Sequence, residues 1–282
     1  MQKGQPSRTA LAAAVHRAAH QIVEQGSIFS DPLALRILGQ DDATFAREDL
    51  QDPSKRTMRL FIAVRTRFAE DALAAAVKHG VQQLGVLGAG LDTFAYRNPF
   101  PDRLRVFEVD HPATQDWKLQ RLNAAGIPMP DSLTYVPVDF ENEVLAEGLE
   151  NAGFDCERQS FFIWLGVVPY LAEEAVWETL GFIAGIPGGA HVVFDYSDPP
   201  DSLPPNARAI HQTRAARVES LGEAWLTHFE RDSLQAKMTL LGFSAIEDLG
   251  PREISSRYFP NRKGSPPERG GHILLASTYA GG

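Results

Sequence analysis

The rhythm of apolar and polar positions changes near residue 80. Before it the spacing is helical. Leu11, Val15 and Ile22 fall roughly on one side of a helix that Ser7 or Thr9 can cap and that runs to about Gln25. In "FSDPLALRIL" the Asp31-Pro32 turn leads into a short helix. Residues 54–79 carry a second long helical pattern, beginning just after Pro53 and ending before Gly80. Beyond it the apolar runs shorten. "QLGVL", "RVFEV", "LTYVPV", "FFIWLG" and "AHVVFDY" are rich in β-branched and aromatic residues, and helical stretches near 112–125, 141–150 and 172–185 separate most of them. Strand alternating with helix predicts a parallel sheet covered on both faces. After Tyr196, "SDPPDSLPPN" reads as loop, followed by helical patterns near 206–222 and 231–241. "FSAIEDL" and "GHILLAST" are the last expected strands, and "NRKGSPPERGG" between them is loop. The pattern gives one α/β domain: a helical cap over 1–80, a core over 81–196, a helical insertion or lid over 197–242, and final strands over 243–282.

Composition narrows this picture. Of 282 residues, 44% are hydrophobic and 22% charged, ordinary for a soluble globular protein. The net charge of −9, with no long Lys/Arg block, argues against nucleic-acid binding through a broad basic face. Cys156 is the only cysteine, so no intrachain disulfide forms, which fits a reducing, cytoplasmic setting. No apolar run reaches the ~18 residues of a membrane helix. The start "MQKGQPSRTALAAAV" turns quickly to His16, Arg17 and His20, so no signal peptide is expected.

The chemistry concentrates in "VLGAGLDTFAYR", residues 86–97. An apolar strand ends in Gly88-Ala89-Gly90, where glycine accepts positive φ and lets a ligand approach the backbone. Open α/β sheets bind ligands at the carboxyl ends of their strands. The next strand ends in two acids, Glu108 and Asp110, each 20 positions beyond one of those glycines, where a carboxylate can take the ribose hydroxyls of a nucleotide. The bland alternative is a tight turn with exposed acids. A dinucleotide fingerprint would place a third glycine at position 93. Thr93 stands there instead, and Asp92 occupies the turn. That carboxylate would repel a pyrophosphate at the helix N-terminus. It suits a ligand with positive charge and no phosphate, and S-adenosylmethionine is one.

"LGAGLDTFAYR", "VFEVDHPATQDWKLQRL" and "GVVPYLAEEAV" resemble the leucine carboxyl methyltransferase family of S-adenosylmethionine-dependent methyltransferases, in its bacterial branch. "TALAAAVHRAAHQ", "IFSDPLAL" and "VRTRFAED" resemble its N-terminal cap in the same order. The resemblance covers roughly residues 7–196 and follows weakly after that. It implies a Rossmann-like class I methyltransferase sheet, mostly parallel with an antiparallel C-terminal strand. It also implies roles. Gly88, Ala89 and Gly90 pass under the cofactor. Asp110 holds the ribose hydroxyls, with Glu108 as its neighbour. Asp139 and Phe140 contact adenine. Arg65 grips the cofactor carboxylate, and Tyr170 stands near the transferred methyl. Arg65 shares a helix face with Phe61 and Phe68, and a charge among apolar neighbours needs an anionic partner. The cofactor carboxylate would serve, as would a nearby Asp or Glu. Asp139 could equally cap the helix near 141–150. In much of the family a glutamate precedes the glycine of "GVVPYL"; here it is Leu165. The contact expected there, to the cofactor's ammonium group, is lost or replaced, and Asp92 is one candidate substitute.

Methyl transfer to a carboxylate needs no base, since the acceptor is already ionised. A hydroxyl acceptor calls for a general base. His111, Asp195, Tyr196, His211 and His228 are candidates, Tyr196 first because it ends the fifth strand run. His16 and His20 are spaced i, i+4 but have no evident third ligand, so no metal is expected. The aromatics Phe161, Phe162 and Trp164 read as core. The sequence thus predicts an O-methyltransferase of secondary metabolism that uses S-adenosylmethionine, releases S-adenosylhomocysteine, and acts on a small-molecule carboxylate or hydroxyl. The competing readings are an NAD(P)-dependent oxidoreductase on a similar sheet and a non-catalytic S-adenosylmethionine-binding protein.

Overall fold

The computed structural model describes residues 7–39, 55–140, 143–220 and 222–279. Helix α1 (Arg8–Val23) begins where Ser7 caps it, the Ser7 Oγ accepting the Ala10 N–H at 3.0 Å. Helix α2 (Arg56–Lys78) fills the second helical pattern. Strand and helix then alternate through β1 (Gln83–Leu87), β2 (Arg105–Asp110), α3 (Pro112–Ala124), β3 (Leu133–Pro137), α4 (Leu145–Asn151), β4 (Ser160–Trp164), α5 (Glu173–Ala184) and β5 (Ala190–Ser197). The chain continues through α6 (Pro205–Ser220), α7 (Arg231–Leu241), β6 (Ala245–Leu249), α8 (Pro251–Tyr258) and β7 (Gly271–Ser277). The expected helix start at residue 54 and the first two residues of the 141–150 stretch lie outside the described residues.

The sheet order is β3-β2-β1-β4-β5-β7-β6. All pairs are parallel except those of β7, which runs antiparallel to both its neighbours. This is the Rossmann-like class I methyltransferase sheet that the resemblance implies. Strand order reverses between β1 and β4, so their carboxyl ends open the crevice in which such sheets hold ligands.

Two apolar layers cover the sheet. Phe107, Val109, Phe162, Trp164, Phe194 and Tyr196 face α4, α5 and α7. Val106, Phe161, Ile163 and Val193 face α2 and α8. A third cluster joins α1 to Leu91 and Leu122 and forms the cap. Two details differ from expectation. Helix α7 buries Leu234 and Met238 in the first layer, so the insertion ends before it and spans only the region around α6. Helix α8 has no counterpart in the sequence reading. It buries Ile254 and Ser255 alone, so it leaves no apolar period to read.

Buried charges are paired across elements. Lys118 of α3 holds Glu108 of β2 at 2.6 Å, both side chains fully buried. Burial pushes the Glu108 carboxyl up to about 7, although Lys118 opposes the shift. At the β5–β7 edge, His272 lies between Asp248 (Nδ1 to Oδ1, 2.9 Å) and Asp198 (Nε2 to Oδ2, 3.2 Å). Burial works against its charge, but the two carboxylates win and raise it to about 9. A folded-state pKa above the unfolded ~6.5 adds stability that is fully present below that value and is lost as pH rises through about 9.

Two outcomes are expected. His272→Gln should lower stability by roughly 3 kcal/mol near pH 6. The gap to wild type should shrink as pH rises through about 9, as read by thermal melts across that range. Lys118→Met strands Glu108 and should cost about 3–5 kcal/mol at pH 8, measured by urea unfolding. Lys118→Met/Glu108→Leu should recover much of that loss.

Candidate active site

The glycine turn sits at the carboxyl end of β1. Gly88 (φ +65°) and Gly90 (φ +47°) take left-handed conformations that glycine adopts without strain. The N–H groups of Gly88 and Ala89 donate to the Val109 carbonyl at 2.8 and 3.1 Å, folding the turn back over β2. There Asp110 is fixed by two backbone donors, Gly90 N–H to Oδ2 at 2.6 Å and His111 N–H to Oδ1 at 2.7 Å. Burial pushes the Asp110 carboxyl upward, while those two N–H groups favour its charged form. A carboxylate oxygen has two lone pairs, so each retains one for a ligand hydroxyl. The turn has no room to spare. A Cβ on Gly88 would come within 2.3 Å of the Val167 side chain, and one on Gly90 within 2.9 Å of the Ala10 Cβ. Ala10 belongs to α1, so the cap helix roofs the turn.

Arg65 reaches the same edge from α2. Its Nη1 pairs with Asp195 Oδ2 at 2.7 Å, and Asp195 Oδ1 accepts the Gly166 N–H at 2.6 Å. Of the two partners left open by the sequence, the nearby Asp is present. Among the described residues, the buried Arg65 Nε has no hydrogen-bond partner. Gly166 (φ +73°) allows the approach, since a Cβ there would lie 2.7 Å from Arg65 Nη2. Leu165 packs into the apolar layer beside α2. Asp195, one strand over, is hydrogen-bonded to the glycine that adjoins Leu165. The sequence reading had Asp195 only as a possible base.

Tyr170 closes the short 3-10 turn that follows β4. Burial pushes its hydroxyl upward, and the nearby Trp225 and Thr9 side chains and the Arg65 charge pull the other way. Trp225 lies in the loop after α6. Next to it, Leu226 N–H donates to the Pro169 carbonyl at 2.7 Å and Thr227 Oγ1 to the Leu171 carbonyl at 2.5 Å. The His211 ring lies 5.0 Å from Trp225, and its Nε2 is 3.2 Å from His228 Nε2. Burial lowers both imidazoles below their usual value; the Arg214 charge adds to this at His211, and His211 adds to it at His228. Sequence reasoning missed Trp225. A tryptophan in a lid loop was the one available signal.

Other expected site residues lie elsewhere or are committed. Tyr196 was the first candidate base. It faces the opposite layer from Asp195, donates to Asp248 at 2.6 Å and stacks on His272. Glu108 is sealed against Lys118 rather than standing at the rim beside Asp110. Asp92 accepts the Phe94 N–H at 2.7 Å and lies 3.9 Å from Arg17, so its charge is partly answered inside the chain. Asp139 and Phe140 follow β3 half-buried at the same edge. Asp139 is not the cap of α4, whose N-cap is Val144. His111 caps α3 by accepting the Ala113 N–H at 3.1 Å. The buried His20 pairs with Glu24.

Comparison with known proteins places this geometry. The chain is 29% identical over 290 residues to YktD of Bacillus subtilis (strain 168), covering 93% of this chain and 94% of that protein, which is named as an S-adenosyl-L-methionine-dependent methyltransferase. A protein of Mycobacterium avium (strain 104) named in the same way is 30% identical over 242 residues, with 79% of this chain and 76% of that one covered. Among solved structures, a possible exported protein from Bordetella parapertussis aligns over 96% of both chains with a TM-score of 0.50 and 14% identity, a likeness of fold. Residues 10–184 match the family model for leucine carboxyl methyltransferase, and the chain belongs to that family.

Proposed function

We propose that this methyltransferase moves the methyl group of S-adenosylmethionine to an oxygen, carboxylate or hydroxyl, of a small-molecule acceptor of secondary metabolism. The observation that carries the reading is the Arg65–Asp195 pair beside the Asp110 clamp. The amino-acid tail of S-adenosylmethionine bears one carboxylate and one ammonium. The buried pair offers a guanidinium with an unpartnered Nε and a carboxylate, one group for each charge. Asp110 has lone pairs left for ribose hydroxyls. Asp139 and Phe140 stand at the same edge for the adenine amine and ring. A diphosphate fits less well, because Asp92 puts a carboxylate where the phosphates would lie.

When bound, S-adenosylmethionine supplies a methyl group on a positively charged sulfur, ready for in-line displacement. The leaving thioether needs no proton. What remains for the protein is to align the acceptor and keep water out, a contribution that reaches about 7–11 kcal/mol in well-oriented systems. Tyr170 stands at the junction of cofactor edge and lid, where its hydroxyl orients the acceptor. A carboxylate acceptor needs no more than that. For a hydroxyl acceptor, His211 and His228 are the groups on the lid side. Their lowered pKa keeps them neutral at pH 7, and a neutral imidazole can accept a proton.

Calorimetric titration with S-adenosylmethionine, S-adenosylhomocysteine, NAD and NADP tests the reading. The first two should bind and the nicotinamide nucleotides should not. Binding of NAD or NADP alone would overturn it. Asp110→Ala and Arg65→Ala should each weaken S-adenosylmethionine at least tenfold, about 1.4 kcal/mol. Unchanged affinity in both folded variants would remove the proposed cofactor contacts. Release of S-adenosylhomocysteine during turnover with an acceptor panel separates an enzyme from a binding protein.

A further inference from the structure

One carboxylate, far from the cofactor edge in sequence, is spent entirely on the first turn of α1. Glu223 follows α6. Its Oε1 accepts the Arg8 N–H at 2.8 Å, and its Oε2 accepts the Thr9 N–H at 3.1 Å and the Ser7 hydroxyl at 3.2 Å. The Thr9 hydroxyl also donates to Oε2. A helix start leaves its first N–H groups without internal partners, and a carboxylate there is favoured by both hydrogen bonding and the helix dipole. Such an acid commonly sits three residues after the N-cap. In α1 that position is Ala10, which has no acceptor and whose methyl lies against Gly90 of the cofactor turn. The acid is instead brought in from the lid.

From this we infer that Glu223 is a positioning residue that latches the lid loop to α1 and so holds α1 down over the cofactor turn. This inference rests on the cofactor reading given above. Cofactor exchange then requires the first turn of α1 to lift, and the latch sets how often it does. Tyr170 lies near both partners of the closure, with Thr9 on one side of the latch and Trp225 on the other. The loop after α6 is also seated on the turn after β4, through the Leu226 and Thr227 bonds to Pro169 and Leu171, and Glu223 is its tie to α1. Helix α6 buries none of its described residues. Glu223 is half-exposed, so both sides of the tie can be hydrated when it opens, which makes it reversible.

The test is the rate at which S-adenosylhomocysteine leaves the protein, followed after mixing the loaded protein with excess S-adenosylmethionine in a stopped-flow instrument. Glu223→Ala should release it at least tenfold faster than wild type, and Glu223→Gln, which keeps one acceptor oxygen and loses the charge, should fall between them. Backbone amide exchange should speed up at residues 8–9 and 222–229 and stay unchanged in β1, β4 and β5. A merely structural role would speed exchange in the strands as well and lower the melting temperature in proportion. Release and local exchange at wild-type rates in folded Glu223→Gln and Glu223→Ala would overturn the latch. Should wild type bind neither S-adenosylmethionine nor S-adenosylhomocysteine, the cofactor reading fails. The latch is then decided by amide exchange alone, and unchanged exchange at Arg8 and Thr9 overturns it.

Discussion

Successive residues of a strand point to opposite sides of a sheet, and β5 shows how much depends on that. Asp195 shares its side with Val193, under α2, and there it meets Arg65 and the Gly166 N–H. Tyr196, one position on, enters the other layer and joins Asp248 and His272. One strand end therefore supplies a buried charged pair with Arg65 on one face and a polar anchor at the sheet edge on the other. Neither could be exchanged for the other without a slip in register, which would turn every apolar side chain of β5 the wrong way.

The interior holds charge, and several of these charges join one element to another. Arg17 of α1 is buried against Asp31 at 2.9 Å and also donates to the Leu91 carbonyl just past the glycine turn. Thr93, at the position where a dinucleotide fold would have glycine, donates to Asp31 at 2.7 Å. The residue that departs from that fingerprint is thus the one that ties the turn to the cap. Buried pairs of this kind add little net stability over apolar packing, but losing one partner is costly, so they fix which segments meet.

Much of this was legible in the sequence. The five parallel strands, the two long N-terminal helices and the glycine turn were carried by local periodicity and by turn chemistry confined to a few residues. Asp110 was legible because its distance from Gly90 is set by one strand–turn–strand unit. The partner of Arg65 was not, because Asp195 is 130 residues away and only the pairing of β4 with β5 brings it near. Tyr196 was ranked above Asp195 on position along the strand, when the deciding quantity was its parity. Glu108 looked like a second rim acid because "EVD" places both acids on one face. Its neighbour Lys118 belongs to the next helix, and the pairing became visible only when that helix packed.

The capping of α1 from the lid has a consequence for how the chain assembles. Ser7 can shape its own end of the helix as soon as it is made, but the acid that completes the cap is residue 223 of 282. Until Glu223 is in place, the first turn of α1 lacks its acid. Contacts between such distant segments carry a large loop-closure entropy and are slow to form. The cap of α1 is thus completed only by a contact between residues 215 apart, which belongs among the slower ones to form.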